Sequence, residues 1–219
     1  MSGALQAVFQ NQRSFFVPPD TIGQAFGGGF YAGKISTSGD GVATHYLIVA
    51  PRSSGAASSQ QWRTSVPSGN PSNRIDGPGN SETMNSGTFP AAQWCRALNI
   101  GGYTDWYLPA IDELEVCYYF LKPTTGSNSD SYGANAYAVS PEPRNTNYGN
   151  PTPPSRTSVA AFQQGGSEAF DGNYEYWSST QSDSNNALDI YFANGHQYSV
   201  YKTTADIYHL TRAVRRIPV

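Results

Sequence analysis

The sequence predicts a mixed α+β fold: two helices packed on small, mainly antiparallel sheets, with long irregular loops between them. Three observations carry this reading. Two stretches around 88–99 and 111–121 repeat apolar residues at helical spacing. Short runs at 22–35, 45–51, 174–180, 187–193, 197–202 and 210–217 have strand character and are bounded by Gly, Asn and Ser. With 22 Gly, 15 Pro and only 13% charged residues in 219, the composition favours an irregular chain over a helical one.

Taken in order, residues 1–20 form an N-terminal docking arm ahead of a single domain over 21–219. Its aromatic run Phe15-Phe16-Val17-Pro18-Pro19 has little of its own to bury against, so the arm is expected to dock onto another subunit. The glycine-rich stretch Ile22–Ile35 is not followed by Gly-Lys-Ser/Thr or by a helical pattern, which argues against a phosphate loop. It reads as a strand whose glycines admit close neighbours, paired as a hairpin with His45–Pro51 across the turn Ser38–Gly41. Residues 52–87 are rich in Ser, Gly, Asn and Pro, with Trp62 and Ile75 as anchors in a long loop.

Phe89-Pro90 opens the first helix, with Ala91, Trp94, Cys95 and Leu98 at helical spacing and a stop at Asn99 and Gly101. In the connector Gly101–Pro109, the Gly-Gly opening ends the first helix and the aromatic-rich middle reads as extended and buried. The connector leads into a second helix with Ile111, Leu114, Cys117, Tyr118 and Leu121 on one face, acids in the first turn and a stop at Lys122-Pro123. Residues 123–172 are again polar and broken by prolines. In the strand from Ala187, Leu188, Ile190 and Phe192 alternate with Ala187, Asp189 and Tyr191, which predicts a half-exposed sheet.

The net charge of −3 and the lack of a basic block exclude nucleic acid as the main partner. Arg212, Arg215 and Arg216 read as strand and surface positions. No apolar run is long enough to insert in a bilayer, and the first sixteen residues lack the pattern of a secretory signal. Cys95 and Cys117 lie on apolar helix faces as buried thiols, or as a disulfide if the protein matures outside the cytosol.

A search for catalytic chemistry finds no constellation. His45, His196 and His209 have no metal-ligand spacing with one another or with a cysteine, the two cysteines form no Cys-X-X-Cys, and Asp112 and Glu113 are first-turn helix acids. No catalytic residue, metal or cofactor is expected. What remains is a surface. The C-terminal third offers Asn185, Asn186, Asp189, Tyr191, Asn194, His196, Tyr198 and Tyr201 with almost no Lys or Glu. Tyrosine gives wide amphipathic contact at low entropic cost and Asn adapts its hydrogen bonds, so these eight are the candidate ligand-binding residues.

One combination is family-specific. Gly102-Tyr103-Thr104-Asp105-Trp106-Tyr107-Leu108-Pro109 with Asp112-Glu113-Leu114, then Tyr176-Trp177-Ser178-Ser179-Thr180, then Ala187–Phe192 with Gly195, and a closing Val214-Arg215-Arg216 resembles the Lcl C-terminal family over roughly residues 22–217. The resemblance implies a C-type-lectin-like fold whose scaffold motif includes Trp106, Leu108, Pro109, Leu114 and Trp177. It also implies occurrence in collagen-like adhesins and phage tail proteins. Relatives often carry Ser or Thr where Ala110 stands, an N-cap worth about 1 kcal/mol. Glu142-Pro143-Arg144 and Trp177-Ser178-Ser179 depart from the calcium-dependent lectin loops, so a calcium site is not expected.

These readings converge on a virion protein of the phage tail, made in the host cytoplasm, that binds a host-surface glycan or protein without covalent chemistry. The arm would join it to other tail subunits, and a homo-oligomer, a trimer by analogy with tail fibres, is expected. The alternatives are a structural decoration protein, or the variable protein of a diversity-generating retroelement.

Overall fold

The computed structural model describes residues 17–58, 60–66, 71–149, 153–204 and 209–219. Most of the expected docking arm therefore lies outside the described residues. Within them the chain is mixed α+β, as the sequence predicts, with two sheets and short helices.

The first sheet has the order β1-β2-β3-β9, built from β1 (Ala25–Phe26), β2 (Gly29–Ile35), β3 (His45–Val49) and β9 (Val214–Pro218). The expected hairpin is there: β2 and β3 pair antiparallel from Phe30↔Val49 to Ile35↔His45. The register shifts between Tyr31 and Gly33, where Gly33 has φ +134° and a Cβ would stand 2.7 Å from the Phe120 ring. A side chain there would be strained by both backbone and space.

The second sheet has the order β4-β8-β5-β6-β7, from β4 (Ala56–Ser58), β5 (Glu175–Gln181), β6 (Asn186–Tyr191), β7 (His196–Tyr201) and β8 (His209–Arg212). The run 210–217, expected as one strand, is thus two strands in different sheets. They separate at Ala213, whose N–H donates to Gly55 O (2.9 Å) and whose carbonyl accepts from the Ala50 N–H (3.0 Å). The expected loop 52–87 also contains α1 (Arg52–Gly55), β4 and α2 (Gly77–Thr83). Trp62 and Ile75 do serve as its buried anchors.

The first predicted helix is α3 (Pro90–Arg96), ending three residues before the expected stop, and the second is α4 (Ile111–Leu121). The face expected of α4 packs in a cluster with Leu47, Val49, Tyr176, Ile190, Phe192 and Val214, so one helix joins strands of both sheets. A second cluster gathers Trp62, Trp106 and Trp177 with Ala91, Cys95 and Leu108 around α3. Both cysteines are free and fully buried, and burial pushes their thiols up.

Ala110 offers α4 no side-chain cap, and distant groups supply what it lacks. The Ile111 N–H donates to Thr180 Oγ1 on β5 (3.0 Å), the Asp112 N–H to Arg74 O (2.9 Å), and the Ala110 N–H to Glu113 Oε2 (2.8 Å). Three donors at the helix start are thereby satisfied, two of them by other parts of the chain.

The connector is fixed in the same manner. Tyr107 and Val214 exchange backbone hydrogen bonds at 2.9 and 3.0 Å. Arg215 reaches Asp105 through two bonds of 2.7 and 2.8 Å and lies 4.0 Å from the Tyr103 ring. The family motif and the closing arginines are therefore two halves of one contact. Arg212 and Arg215 are buried at 1% and 7% exposure, which corrects their reading as surface positions. Arg212 donates from Nε to Ala50 O at 2.7 Å and pairs with Glu168 at 3.2 Å; a buried guanidinium needs such partners.

Candidate functional site

The β6–β7 hairpin carries the candidate ligand residues, and its pairing divides them. Across β5, β6 and β7 the register aligns Glu175, Tyr191 and His196 in one row and Trp177, Asp189 and Tyr198 in the next, all on one face. Tyr201 pairs with Asn186 and belongs to the opposite face. The hairpin turns through Gly195, with φ +75°, where a Cβ would stand 2.4 Å from the Tyr118 ring.

The expected half-exposed face of β6 is not found. Ala187, Asp189, Ile190 and Phe192 are all fully buried, so β6 is covered on both sides. Asp189 is consequently removed from the outward set: its carboxylate lies 3.2 Å from His209 Nε2, and the His209 ring stacks on Trp177 at 4.6 Å. Alternation alone places Asp189 outward because its partner on β8 is invisible to a local pattern. His209, which reads in sequence as an isolated residue, is 6% exposed and part of this buried pair.

Asn185 and Asn186 sit in and beside the β5–β6 turn and help to build it. Asp183 Oδ1 accepts from the Asn185 and Asn186 N–H groups at 2.7 and 2.9 Å. These bonds, the Asn186 side chain first, hold the Asp183 carboxyl below its usual range. From inside, the buried Lys202 ammonium donates to Gln181 Oε1 (3.0 Å), Asp183 O (2.9 Å) and Ser184 O (3.2 Å), and lies 5.0 Å from the Trp62 ring. A fixed cation thus organises this turn from carbonyl and amide oxygens.

The other end of the hairpin is aromatic. The His196 ring meets Tyr198 at 4.2 Å and Tyr132 at 4.5 Å. The His196 backbone N–H donates to Asn194 Oδ1 (3.0 Å), and the Ser129 N–H donates to Asn194 O (2.8 Å), which ties the 129–132 loop to the turn. Tyr191 is half-buried beside this group, while Tyr198 and Tyr201 are 40% and 49% exposed. Ser129 and Tyr132 are absent from the sequence-predicted set; Ser129 and His196 stand 67 positions apart, and no spacing links them.

Helix α4 carries buried acids, one of which reaches the base of the hairpin. Glu115 accepts from Gln197 of β7 at 2.7 Å and from the Tyr148 hydroxyl, while Glu113 accepts from the Tyr107 hydroxyl at 2.7 Å. Burial pushes both carboxyls up to about 7. Both are fully enclosed, as is Asp112 at 3% exposure, which pairs with Arg74 at 2.7 Å. A cleft of about 280 Å³ opens near Thr37, His45, Asn73, Ile75, Asp76 and Arg216. Its guanidinium is already engaged by Asp76 at 2.9 Å and Glu113 at 3.8 Å. Among the described residues no group of three or more His, Cys, Asp or Glu is placed to hold a metal ion, and no helix is long and apolar enough to cross a membrane.

No curated protein and no solved structure matches the chain. The sequence model of the Lcl C-terminal domain matches residues 52–215, a span that holds α4, the connector, the buried Trp62, Trp106 and Trp177, and the whole hairpin. It begins after β3, later than the likeness traced in the sequence. This match covers well over half of the chain, and the protein belongs to the Lcl C-terminal domain family.

Proposed function

We propose that this protein recognises a surface without covalent chemistry, as a tail component of a phage virion that binds a host-surface glycan or protein. One observation carries the reading: β7 has no buried residue, yet it displays two large tyrosines on a scaffold whose helix and inner strands are almost wholly enclosed. An edge strand with open aromatic side chains and a firmly held base fits recognition, because little ordering is left to be lost on binding. In this reading the arm 1–20 attaches the domain to other virion subunits, and copies arranged as a homo-oligomer, a trimer by analogy with tail fibres, multiply weak contacts into avidity. The C-type-lectin-like arrangement belongs to the same proposal, as does the absence of catalysis.

The decisive experiment uses particles carrying Tyr191→Ala and Tyr198→Ala together. Normal assembly with lost adsorption supports receptor recognition. Unchanged adsorption removes it and leaves a structural virion protein, for which deletion of residues 1–20 would abolish incorporation.

A further inference from the structure

We infer that the free edge of β7 pairs antiparallel with β7 of a second copy of this chain, about a two-fold axis at Ser199. The pairing uses backbone groups and does not depend on what the hairpin binds. Copies joined through β7 come in pairs, so a trimer built through another surface would be joined to a second trimer.

Among the described residues β7 ends the five-stranded sheet, with β6 as its neighbour. A strand edge presents N–H and C=O groups that template pairing with another chain, and proteins blunt such edges by shortness, charge, proline or a bulge. The other edge strands here are blunted. β1 has two residues and β4 has three, while β9 carries Arg215 and Arg216, ends at Pro218 and is bonded at Val214 by Tyr107. β7 has none of these devices. Its six residues, His196-Gln197-Tyr198-Ser199-Val200-Tyr201, include no Lys, Arg, Asp, Glu or Pro, and their register with β6 runs unbroken. The Lys202 N–H donates to Asn185 O at 3.0 Å, and backbone groups alternate along an antiparallel strand. Val200 and Tyr198 therefore turn their N–H and C=O towards β6, while Gln197, Ser199 and Tyr201 turn theirs outward. The Tyr201 carbonyl also accepts from the Thr204 N–H at 2.9 Å, and keeps a second lone pair.

A second copy is the occupant because this edge is complementary to itself. A two-fold at Ser199 sets Ser199 opposite Ser199, Gln197 opposite Tyr201 and Tyr198 opposite Val200. The outward groups of Gln197, Ser199 and Tyr201 then exchange hydrogen bonds across the axis. An isologous contact brings like residues together near its axis, which a charged edge would oppose; this edge is uncharged. Tyr198 and Val200 meet at a non-hydrogen-bonded position, where side chains lie closest, and an aromatic beside a β-branched residue is a favourable cross-strand pair. Ser199, at the axis, is exposed, so the centre of the edge is open. Tyr198 and Tyr201 stay on the two faces of the sheet, and pairing doubles the aromatic row on each.

The test is sedimentation of the full chain over a range of concentrations. One strand pair is a small interface, so an even-numbered assembly is expected to form with a dissociation constant of about 10–100 μM. Ser199→Pro removes an outward N–H without breaking a bond to β6, and Ser199→Lys and Ser199→Glu each set like charges face to face at the axis. Each should raise the dissociation constant by about tenfold or more. An equimolar mixture of the Lys and Glu variants should pair again, because the axis then brings opposite charges together. Thermal melts of every variant check folding, and the Lys and Glu variants carry the test if Ser199→Pro melts early. A single copy at every concentration up to about 300 μM, well above that range, overturns the inference. So does an assembly that folded Ser199 variants leave unchanged, which would use another surface. Pairing that the single variants lose and the mixture does not regain overturns the self-facing register, and an odd-numbered assembly disrupted by Ser199→Pro would mean that β7 meets a different surface of its neighbour.

Discussion

In helix α4 nine of eleven residues are buried, Asp112, Glu113 and Glu115 among them, whereas in strand β7 none of six is. Both segments mix tyrosine with polar groups; α4 is the more apolar of the two, and its acids have enclosed partners. Glu113 is held by the Tyr107 hydroxyl and the Ala110 N–H, and Glu115 by Tyr148 and Gln197. On β7 the exposed Tyr198 and Tyr201 project from the surface. The two regions touch where Gln197 donates to Glu115. A polar group buried without partners costs several kcal/mol, so enclosure and partnering occur together, and an exposed side chain remains available to a ligand.

The largest effect that tests this contrast is expected at Trp106, which is 1% exposed and packs with Trp62 and Trp177. Trp106→Ala should cost about 3–5 kcal/mol in a urea denaturation, a large part of an ordinary domain's stability. Binding lost with stability intact would move Trp106 out of the scaffold. Asp189→Ala should follow at about 3 kcal/mol, because it strips a partner from the buried His209. A normal melt combined with weakened binding would restore Asp189 to the recognition surface and break the division drawn here.

The acids of the α4 region add a pH dependence. Glu113 and Glu115 sit at about 7 in the folded protein, against 4.5 for an ordinary Glu. Their folded pKa is raised, so the folded state keeps protons that the unfolded state releases. The resulting stability is fully present below about pH 4.5 and declines as pH rises to about 7, by at most about 3 kcal/mol per group. Urea midpoints at pH 5, 6, 7 and 8 should fall in that order across the window, and Glu115→Gln should flatten the slope. A smaller loss, about 1 kcal/mol, is expected for Thr180→Val, which removes the hydroxyl that caps α4 from β5.

How much of this was legible in the sequence follows from the range of the interactions. Helix α4 and the β2–β3 hairpin were, because their apolar spacing and turn residues act within a few positions. Helix α2 was not: Asp76 caps it locally, but Asn80 ties it to Asn73 O at 2.7 Å and to Ser179 Oγ at 3.1 Å, and no apolar pattern marks it. The division at Ala213 is likewise imposed by Ala50 and Gly55. At the candidate site, Tyr198 and Tyr201 were legible as exposed residues. Asp189 was misplaced because the side-chain period of a strand says which residues share a face and nothing about whether that face is covered. Tyr132 had no local signal at all, since a separate loop brings it to His196.

The smallest expected change in stability carries the comparison furthest. Tyr198 is 40% exposed on an edge strand, and replacing it by alanine removes no enclosed contact from either hydrophobic cluster. Tyr198→Ala should therefore shift unfolding by less than about 0.5 kcal/mol, within the range of ordinary surface substitutions. Its contact with the His196 ring at 4.2 Å is the part that is lost, and that contact extends the aromatic face outward. Denaturation and envelope binding measured on the same preparation give the two numbers needed. Stability unchanged with binding lost places the work of β7 outside the fold. A cost of 2 kcal/mol or more, on the order of a buried aromatic, would mean that Tyr198 belongs with α4, and that enclosure does not separate scaffold from recognition in this protein.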